Sequence, residues 1–256
     1  MTRANRDISV TWVLLTFNRK KTVEECFQHN ASVSGEEWNE LVWCDNGSSD
    51  GTNKIPLPAH VKIRNVENLG VAKGYNRAMA LASKDYIVIT GCDMKMPHGW
   101  LKTFKDYIRA IPETGIACIY SQPLDKVPER IRGQEQIVNG LPIVPAMPIG
   151  RRILSRKMLH DVGYFHEGFG LYGWDDVVWG YRAEKVCKEQ GKLSYVIPRQ
   201  IAQHFGTEGV QMFDGKDHVD YHAFKQREVN ERYKAKLMSD LRERGYPRFN
   251  PYSGEE

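Results

Sequence analysis

An α/β fold, with a mostly parallel central sheet flanked by helices, is what this sequence predicts. Three observations lead there. Short β-rich apolar runs alternate with helix-forming segments over the first 90 residues. The 256-residue chain is long enough for one large α/β domain. Finally, three strand-to-helix junctions, at 16–19, 45–52 and 91–94, are polar or glycine-containing, and such sheets bind ligands beyond the carboxyl ends of their strands.

The elements follow in order. "ISVTWVLLT" (8–16) reads as a buried first strand, and a polar helix extends from Lys20 to about Asn30. "ELVWCD" (40–45) is a second strand ending in "NGSSDGT", which is turn chemistry throughout. "VKIRNV" (61–66) is a third, "GVAKGYNRAMALAS" (70–83) a helix, and "DYIVIT" (85–90) another strand. Beyond Gly115 the pattern loosens, and the five prolines of 119–150 suggest irregular structure over the sheet edge. "RILSRKMLHDVGYF" resumes as strand then helix, with Ser155 as N-cap. Residues 174–191 form an amphipathic helix entered through two carboxylates and closed by Gly191, and "LSYVIP" (193–198) is a last strand. A basic helix over 223–244 carries an apolar stripe of Val229, Tyr233, Leu237 and Leu241, expected to pack on the body, with a membrane surface as the alternative.

Composition narrows the function classes. A net charge of +4, with basic residues spread along the chain, points to no nucleic-acid partner. Five widely spaced cysteines without a CxxC pair argue for reduced thiols and a cytoplasmic setting. The first ten residues lack an apolar signal core, and no run approaches membrane-spanning length, so no transmembrane segment is expected.

Each chemistry-bearing motif has a plainer alternative. Asn46-Gly47 is by itself a hairpin turn signal; the functional reading leaves the Asp45 carboxylate free for a base or ribose. Gly70 and Gly74 open a helix whose N–H groups suit an anion, or they let helix pack tightly on sheet. Asp93 either caps a turn or holds a metal. In "WDD" (174–176), one carboxylate complements the helix dipole while the other faces outward as a base. His204 follows the last strand, where a histidine is either structural or a metal ligand. His218 and His222 have zinc-compatible spacing without an evident third ligand, and a flap over 206–222, hinged near Gly206 and Gly209, is the preferred reading there.

Taken together, "VTWVLLTFNRK", "DNGSSDGT", "ENLGVAKGYNRAM", "CDMKMPHGW", "VGYFHEGF", "YGWDDVVWGYR" and "HFG" stand in the order seen in family 2 glycosyltransferases, which the chain resembles over roughly residues 8–205. The resemblance implies an inverting, metal-dependent enzyme with a GT-A, Rossmann-like domain over 1–222. Residues 223–256 would be a helical extension packed on it. It implies that Thr16, Phe17, Asn18 and Arg19 line the nucleotide pocket and that Asp45 binds base or ribose. Asn68, Lys73 and Asn76 would line the donor cleft, with Cys92 and Asp93 also binding the nucleotide sugar. Counting back from Trp100 makes Asp93 the second aspartate of a DxD motif whose first position is held by Gly91.

Asp176 would be the catalytic base, with Asp175 its helper toward acceptor hydroxyls. Tyr172 and Trp174 would bind the acceptor sugar. His204 would join Asp93 on Mn²⁺ or Mg²⁺. The implied partners are a nucleoside-diphosphate sugar, UDP-linked by family habit, and a carbohydrate or glycoconjugate acceptor. Two other readings compete: a non-catalytic sugar-nucleotide-binding or scaffold protein with a degenerate DxD motif, and a nucleotidyltransferase. The latter usually carries a glycine-rich loop after its first strand, where this chain has "TFNRKK".

Overall fold

The computed structural model describes residues 7–121, 132–205 and 221–253, with backbone alone over 221–230. In its first half β1 (Val10–Thr16), β2 (Glu40–Asp45), β3 (Val61–Arg64) and β4 (Tyr86–Ile89) alternate with α1 (Lys20–Ser32) and α2 (Val71–Ala80). After them come β5 (Met94–Lys95), α3 (Trp100–Ala110), β6 (Thr114–Tyr120), β7 (Gln136–Val138), β8 (Leu141–Pro145) and β9 (Arg151–Ser155). The chain continues through α4 (Arg156–Val162), α5 (Asp175–Glu189), β10 (Leu193–Ile201), β11 (Gln203–His204) and α6 (Tyr221–Glu243).

A nine-stranded sheet runs β3-β2-β1-β4-β9-β6-β10-β8-β7. β9 opposes both β4 and β6, and β8 opposes β10 and β7, so the other strands all point one way. The sheet is therefore mostly parallel in direction, as expected. β1 is buried along its whole length because helices cover both faces. Trp12 and Leu14 enter one core with Phe27 of α1 and Trp100 and Phe104 of α3. Val13 and Leu15 enter the other, with Met79 of α2, Met158 of α4 and Trp179 of α5. That is the alternation a strand buried on both faces demands. Gly74 is a packing glycine: a Cβ there would lie 2.4 Å from Leu15 Cδ1.

Two stretches differ from expectation. Residues 136–145 are not irregular but a β-hairpin on the sheet edge, with Val138 opposite Leu141. Its turn is Asn139-Gly140, both left-handed, the geometry a two-residue hairpin loop requires. Pro142 and Pro145 both lie on β8, between β10 and β7, and serve as acceptors: Tyr107 Oη donates to Pro142 O at 2.9 Å and Gly133 N to Pro145 O at 2.6 Å. The stripe on α6 is also shifted. Leu241 and Met238 are buried against Phe169 and Val178, Leu237 is half-buried, and Tyr233 is exposed. Val229's side chain, the flap at 206–222, and His218 and His222 as a zinc pair lie outside the described side chains.

Ser155 caps α4 as expected, its hydroxyl accepting from Met158 N at 3.0 Å. Gly191 ends the turn after α5 with φ +62°. No described helix is long and apolar enough to cross a membrane.

Candidate active site

Parallel strands deliver their carboxyl ends to one rim, and the sheet register states which residues meet there. Thr16 lies opposite Asp45, and β4 ends at Ile89, opposite Val13. Asn18 and Arg19 leave β1 in consecutive left-handed conformations (φ 54° and 63°), a sharp exit that turns the chain into α1. The exit is clamped by the loop after β2. Asn18 N donates to Ser48 Oγ at 2.8 Å, Ser49 N to Asn18 Oδ1 at 3.0 Å, and Lys20 N to Asp50 Oδ2 at 2.9 Å. Burial raises the Asp50 carboxyl, but hydrogen bonds from Thr52 and Lys20 outweigh it and hold the group below its usual value.

Asn46 ties this loop to the next. Its Nδ2 donates to Asn68 Oδ1 at 2.8 Å and to Gly70 O at 3.1 Å, while its Oδ1 accepts from Asn65 Nδ2 at 2.8 Å and Leu69 N at 3.2 Å. Asn46-Gly47 is thus no hairpin turn. The following loop then touches the "WDD" region: Val71 N donates to Leu171 O at 2.9 Å. The first N–H of α2 is therefore spent on Leu171, and is not held open for an anion.

Several sequence-chosen residues lie under the rim. Thr16 is buried, its hydroxyl accepting from Trp43 Nε1 at 2.9 Å and reaching Asp45 Oδ1 at 3.4 Å. Asp45 is likewise closed from solvent, its Oδ2 accepting from Ser48 N at 3.2 Å with Arg64 Nε 3.9 Å away. Asn76 is fully buried. Both its amide donors are used, on Phe165 O and Glu167 Oε1 at 2.9 Å each, and its oxygen accepts from Phe165 N. It fastens α2 to the 165–167 segment and leaves nothing for a ligand. Phe17 and Lys73 are exposed, and Asn68 is half-buried.

A second, two-stranded sheet joins the segments that carry Asp93 and His204. β5 and β11 pair antiparallel with His204 opposite Met94, and Phe205 N donates to Asp93 O at 2.8 Å. Asp93 and His204, more than a hundred residues apart in sequence, thereby become neighbours. Asp93 Oδ2 also lies 3.7 Å from Arg19 Nη1. Gly91 has φ +84°, where an L side chain is strained, and a Cβ would sit 3.2 Å from Met94 Cγ. Half-buried Cys92 has its thiol pushed well above the ordinary range, chiefly by burial and then by Asp93.

α5 supplies the carboxylate pair. Trp174 is left-handed (φ 69°) and precedes the first helical residue, Asp175. Asp175 is buried, with Oδ1 accepting from Gly173 N at 3.1 Å. Burial, then the neighbouring Asp176 charge, raises its carboxyl to about 6. Asp176 is half-buried, and Leu171, Tyr172 and Trp174 are exposed beside it. The Tyr172 phenol is pushed up by burial, then by Asp176, Asp175 and Asp93, which places all three carboxylates within electrostatic reach of one ring. Lys234 of α6 donates to Tyr172 O at 2.7 Å, so the C-terminal helix braces this loop.

Sequence reasoning missed Ser48 and Asn65, which clamp the rim. It also missed Arg151 and Arg152, which enter it because β9 runs opposite to β4 and starts where β4 ends. The signal was present: two arginines directly before the apolar "ILS" of a strand.

A three-layer α/β/α sandwich with carboxylates and one imidazole at the carboxyl rim is the GT-A arrangement. A family profile described as "Glycosyl transferase family 2" matches residues 11–172, more than half the chain, and the chain belongs to that family of glycosyltransferases. No curated protein matches it by sequence. Among solved structures it is similar to mannosyltransferase PcManGT from Pyrobaculum calidifontis, in complex with GDP-Man and Mn²⁺, at 21% identity and TM-score 0.58 over 80% of this chain and 59% of that one. GalNAc-T7 with UDP, GalNAc and Mn²⁺ gives 12% identity and TM-score 0.61 over 78% of this chain and 44% of that one. S. aureus TarS 1–349 with UDP-GlcNAc gives 16% identity and TM-score 0.55 over 80% and 60%. At these identities the likeness is one of fold, and this chain spans between 44% and 60% of those proteins' lengths.

Proposed function

We propose that this chain transfers a sugar from a nucleoside diphosphate, UDP by family habit, to an acceptor hydroxyl with inversion at the anomeric carbon. The supporting observation is convergence: β11 brings His204 opposite Met94, next to Asp93, and Asp93 and Asp176, on the first turn of α5, both act on the Tyr172 phenol. A carboxylate just before β5 and an imidazole on β11 are residue types that suit Mn²⁺ or Mg²⁺. Among the described residues no cluster of three or more His, Cys, Asp or Glu is preformed, so an ion here would draw further ligands from the donor's diphosphate oxygens. When bound, the ion supplies neutralisation of the departing diphosphate.

The protein's own residues do the rest. Asp176 accepts the proton of the acceptor hydroxyl as its oxygen attacks from the face opposite the leaving group. Asp175, locked to Gly173 N, is a positioning residue that fixes the turn carrying Asp176. The exposed Tyr172 and Trp174 rings offer flat faces to an acceptor sugar, and Phe17 offers one to the base. Asn18, Arg19, Asn68 and Lys73 border the donor, while Thr16, Asp45 and Asn76 act from beneath by holding the rim in shape. Residues 1–222 would form the catalytic unit, at work in the cytoplasm or at a membrane surface, with α6 as its brace.

Left-handed Gly91 favours a second reading, a sugar-nucleotide-binding scaffold lacking half of its DxD motif. One screen separates the two. The protein is incubated with a panel of nucleotide sugars and acceptor glycans in Mn²⁺, Mg²⁺ or chelator while released nucleoside diphosphate is followed. Metal-dependent release abolished by Asp176→Asn supports transfer. Nucleotide binding with no release from any donor supports the scaffold.

A further inference from the structure

β9 begins at the active-site rim, with Arg152 opposite Ile89 of β4 and Arg151 opposite Ile119 of β6. Alternation along the strand sends these two guanidiniums to opposite faces of the sheet. Arg152 is accounted for. It donates to Gly150 O and Pro148 O at 2.9 Å each and lies 4.7 Å from the Trp179 ring and 5.3 Å from Phe165. Arg151 takes the other face, with Ile153 and the cluster against which Cys92 packs. It is only half-buried, yet among the described residues its guanidinium has no hydrogen bond and no ion pair within 4.0 Å. The carboxylates that act on it are Asp93 and Asp176, while burial works against its charge. A partly desolvated guanidinium at the rim, with no hydrogen-bond or ion-pair partner among the described residues, is suited to an anion.

Resting on the transferase reading above, we propose that Arg151 binds the β-phosphate of the donor. In that reading Asp93 marks the leaving-group side and Asp176 the attacking side, and Arg151 answers to both. As the bond from the anomeric carbon to the phosphate oxygen breaks, its electron pair moves onto that oxygen, and the guanidinium donates hydrogen bonds to it. Meanwhile the acceptor oxygen bonds to the anomeric carbon and its proton passes to Asp176. The assignment fits the missing aspartate. With Gly91 in place of a carboxylate, and Arg19 and Arg151 acting on Asp93, positive charge at the rim adds to whatever a bound ion supplies to the diphosphate.

The test is calorimetric titration of UDP and GDP, with uridine and guanosine as controls, into wild type, Arg151→Gln and Arg151→Lys. Each is run in chelator and in Mn²⁺, with melting curves to confirm folding. Wild type is expected to favour a diphosphate over its nucleoside in chelator by about 10- to 100-fold, the worth of a charge-assisted pair. Arg151→Gln should lose that preference while keeping its affinity for the nucleoside, and Arg151→Lys should keep part of it. A folded Arg151→Gln protein retaining the full preference overturns the assignment and leaves the transferase reading intact. A wild type that binds neither diphosphate nor nucleoside in either condition overturns both.

Discussion

From Asn18 to Gly70 the rim is held by a dense net of hydrogen bonds among its own side chains and backbone, whereas from Gly91 to Asp176 it is held by one short strand pair, a few scattered hydrogen bonds and charge. The first half is pre-built: Asn46 alone makes four bonds, and Asp50, Ser48 and Asn65 add more. The second half keeps three large apolar side chains in solvent and one guanidinium unpaired among the described residues, and it forces Asp175 under cover. On the proposed function the first half seats the nucleotide base, which is the same in every turnover, so its rigidity costs nothing in reorganisation. The half that meets a reacting centre must exchange its contacts during the reaction, and its unspent surface is what a substrate would satisfy.

Changes that break this comparison should differ in kind. The largest effect is expected from Asp176→Asn, which removes the base while keeping the shape. Turnover should fall by about 10²–10⁴-fold with the melting temperature and nucleotide affinity nearly unchanged, as stopped-time transfer assays and calorimetry would reveal. A variant near wild-type rate would remove Asp176 from the mechanism.

In the other half the loss should be of stability. Gly47→Ala puts a Cβ 2.5 Å from the Glu67 backbone at φ +83°, and Asn46→Ala removes four hydrogen bonds, two of them buried. Each should cost about 2–4 kcal/mol in denaturant unfolding and weaken nucleoside binding. A cost below about 0.5 kcal/mol would mean the network is not structural.

Asp175→Asn sharpens the contrast through pH. A carboxyl raised to about 6 in the fold holds its proton more tightly than in the unfolded chain. That contribution is fully present below pH ~4 and is lost as pH rises through about 6, so the buried ionised group burdens the protein at pH 8. The asparagine variant should therefore be more stable by about 1–3 kcal/mol at pH 8, an advantage that fades between pH 6 and pH 4. An advantage independent of pH would place its cause elsewhere.

The smallest change in stability is expected from Trp174→Ala. Its ring is exposed, so unfolding should shift by no more than about 0.5 kcal/mol, while KM for the acceptor rises several-fold and KM for the donor stays put. Equal changes in both constants would argue against an acceptor-side ring.

Two Asn-Gly pairs, one in a stretch expected to be irregular and one weighed as a possible turn, show what the dipeptide decides and what it does not. Asn139-Gly140 is the hairpin that the dipeptide signals, with both residues left-handed between paired strands. Asn46-Gly47 carries the same signal at a strand end, yet Asn46 is buried and used as a four-way tie. Local chemistry permits both outcomes. What separates them is whether partners such as Asn65, Asn68 and Leu69 are folded back within reach, which no local window contains. The same holds for Asn76, whose place in a motif suggested a ligand and whose burial spends it on Phe165 and Glu167.

Strand and helix alternation, the buried character of β1, the cap at Ser155 and the placement of three polar junctions at one rim follow from residue pattern alone. They depend on period, hydrophobicity and turn chemistry, which are local properties of the chain. The pairing of His204 with Met94, the entry of Arg151 at the rim and the burial of Asp175 beside a half-buried Asp176 were decided only by the tertiary structure. Each depends on strand direction, register or desolvation by distant segments, and those are set when the sheet assembles.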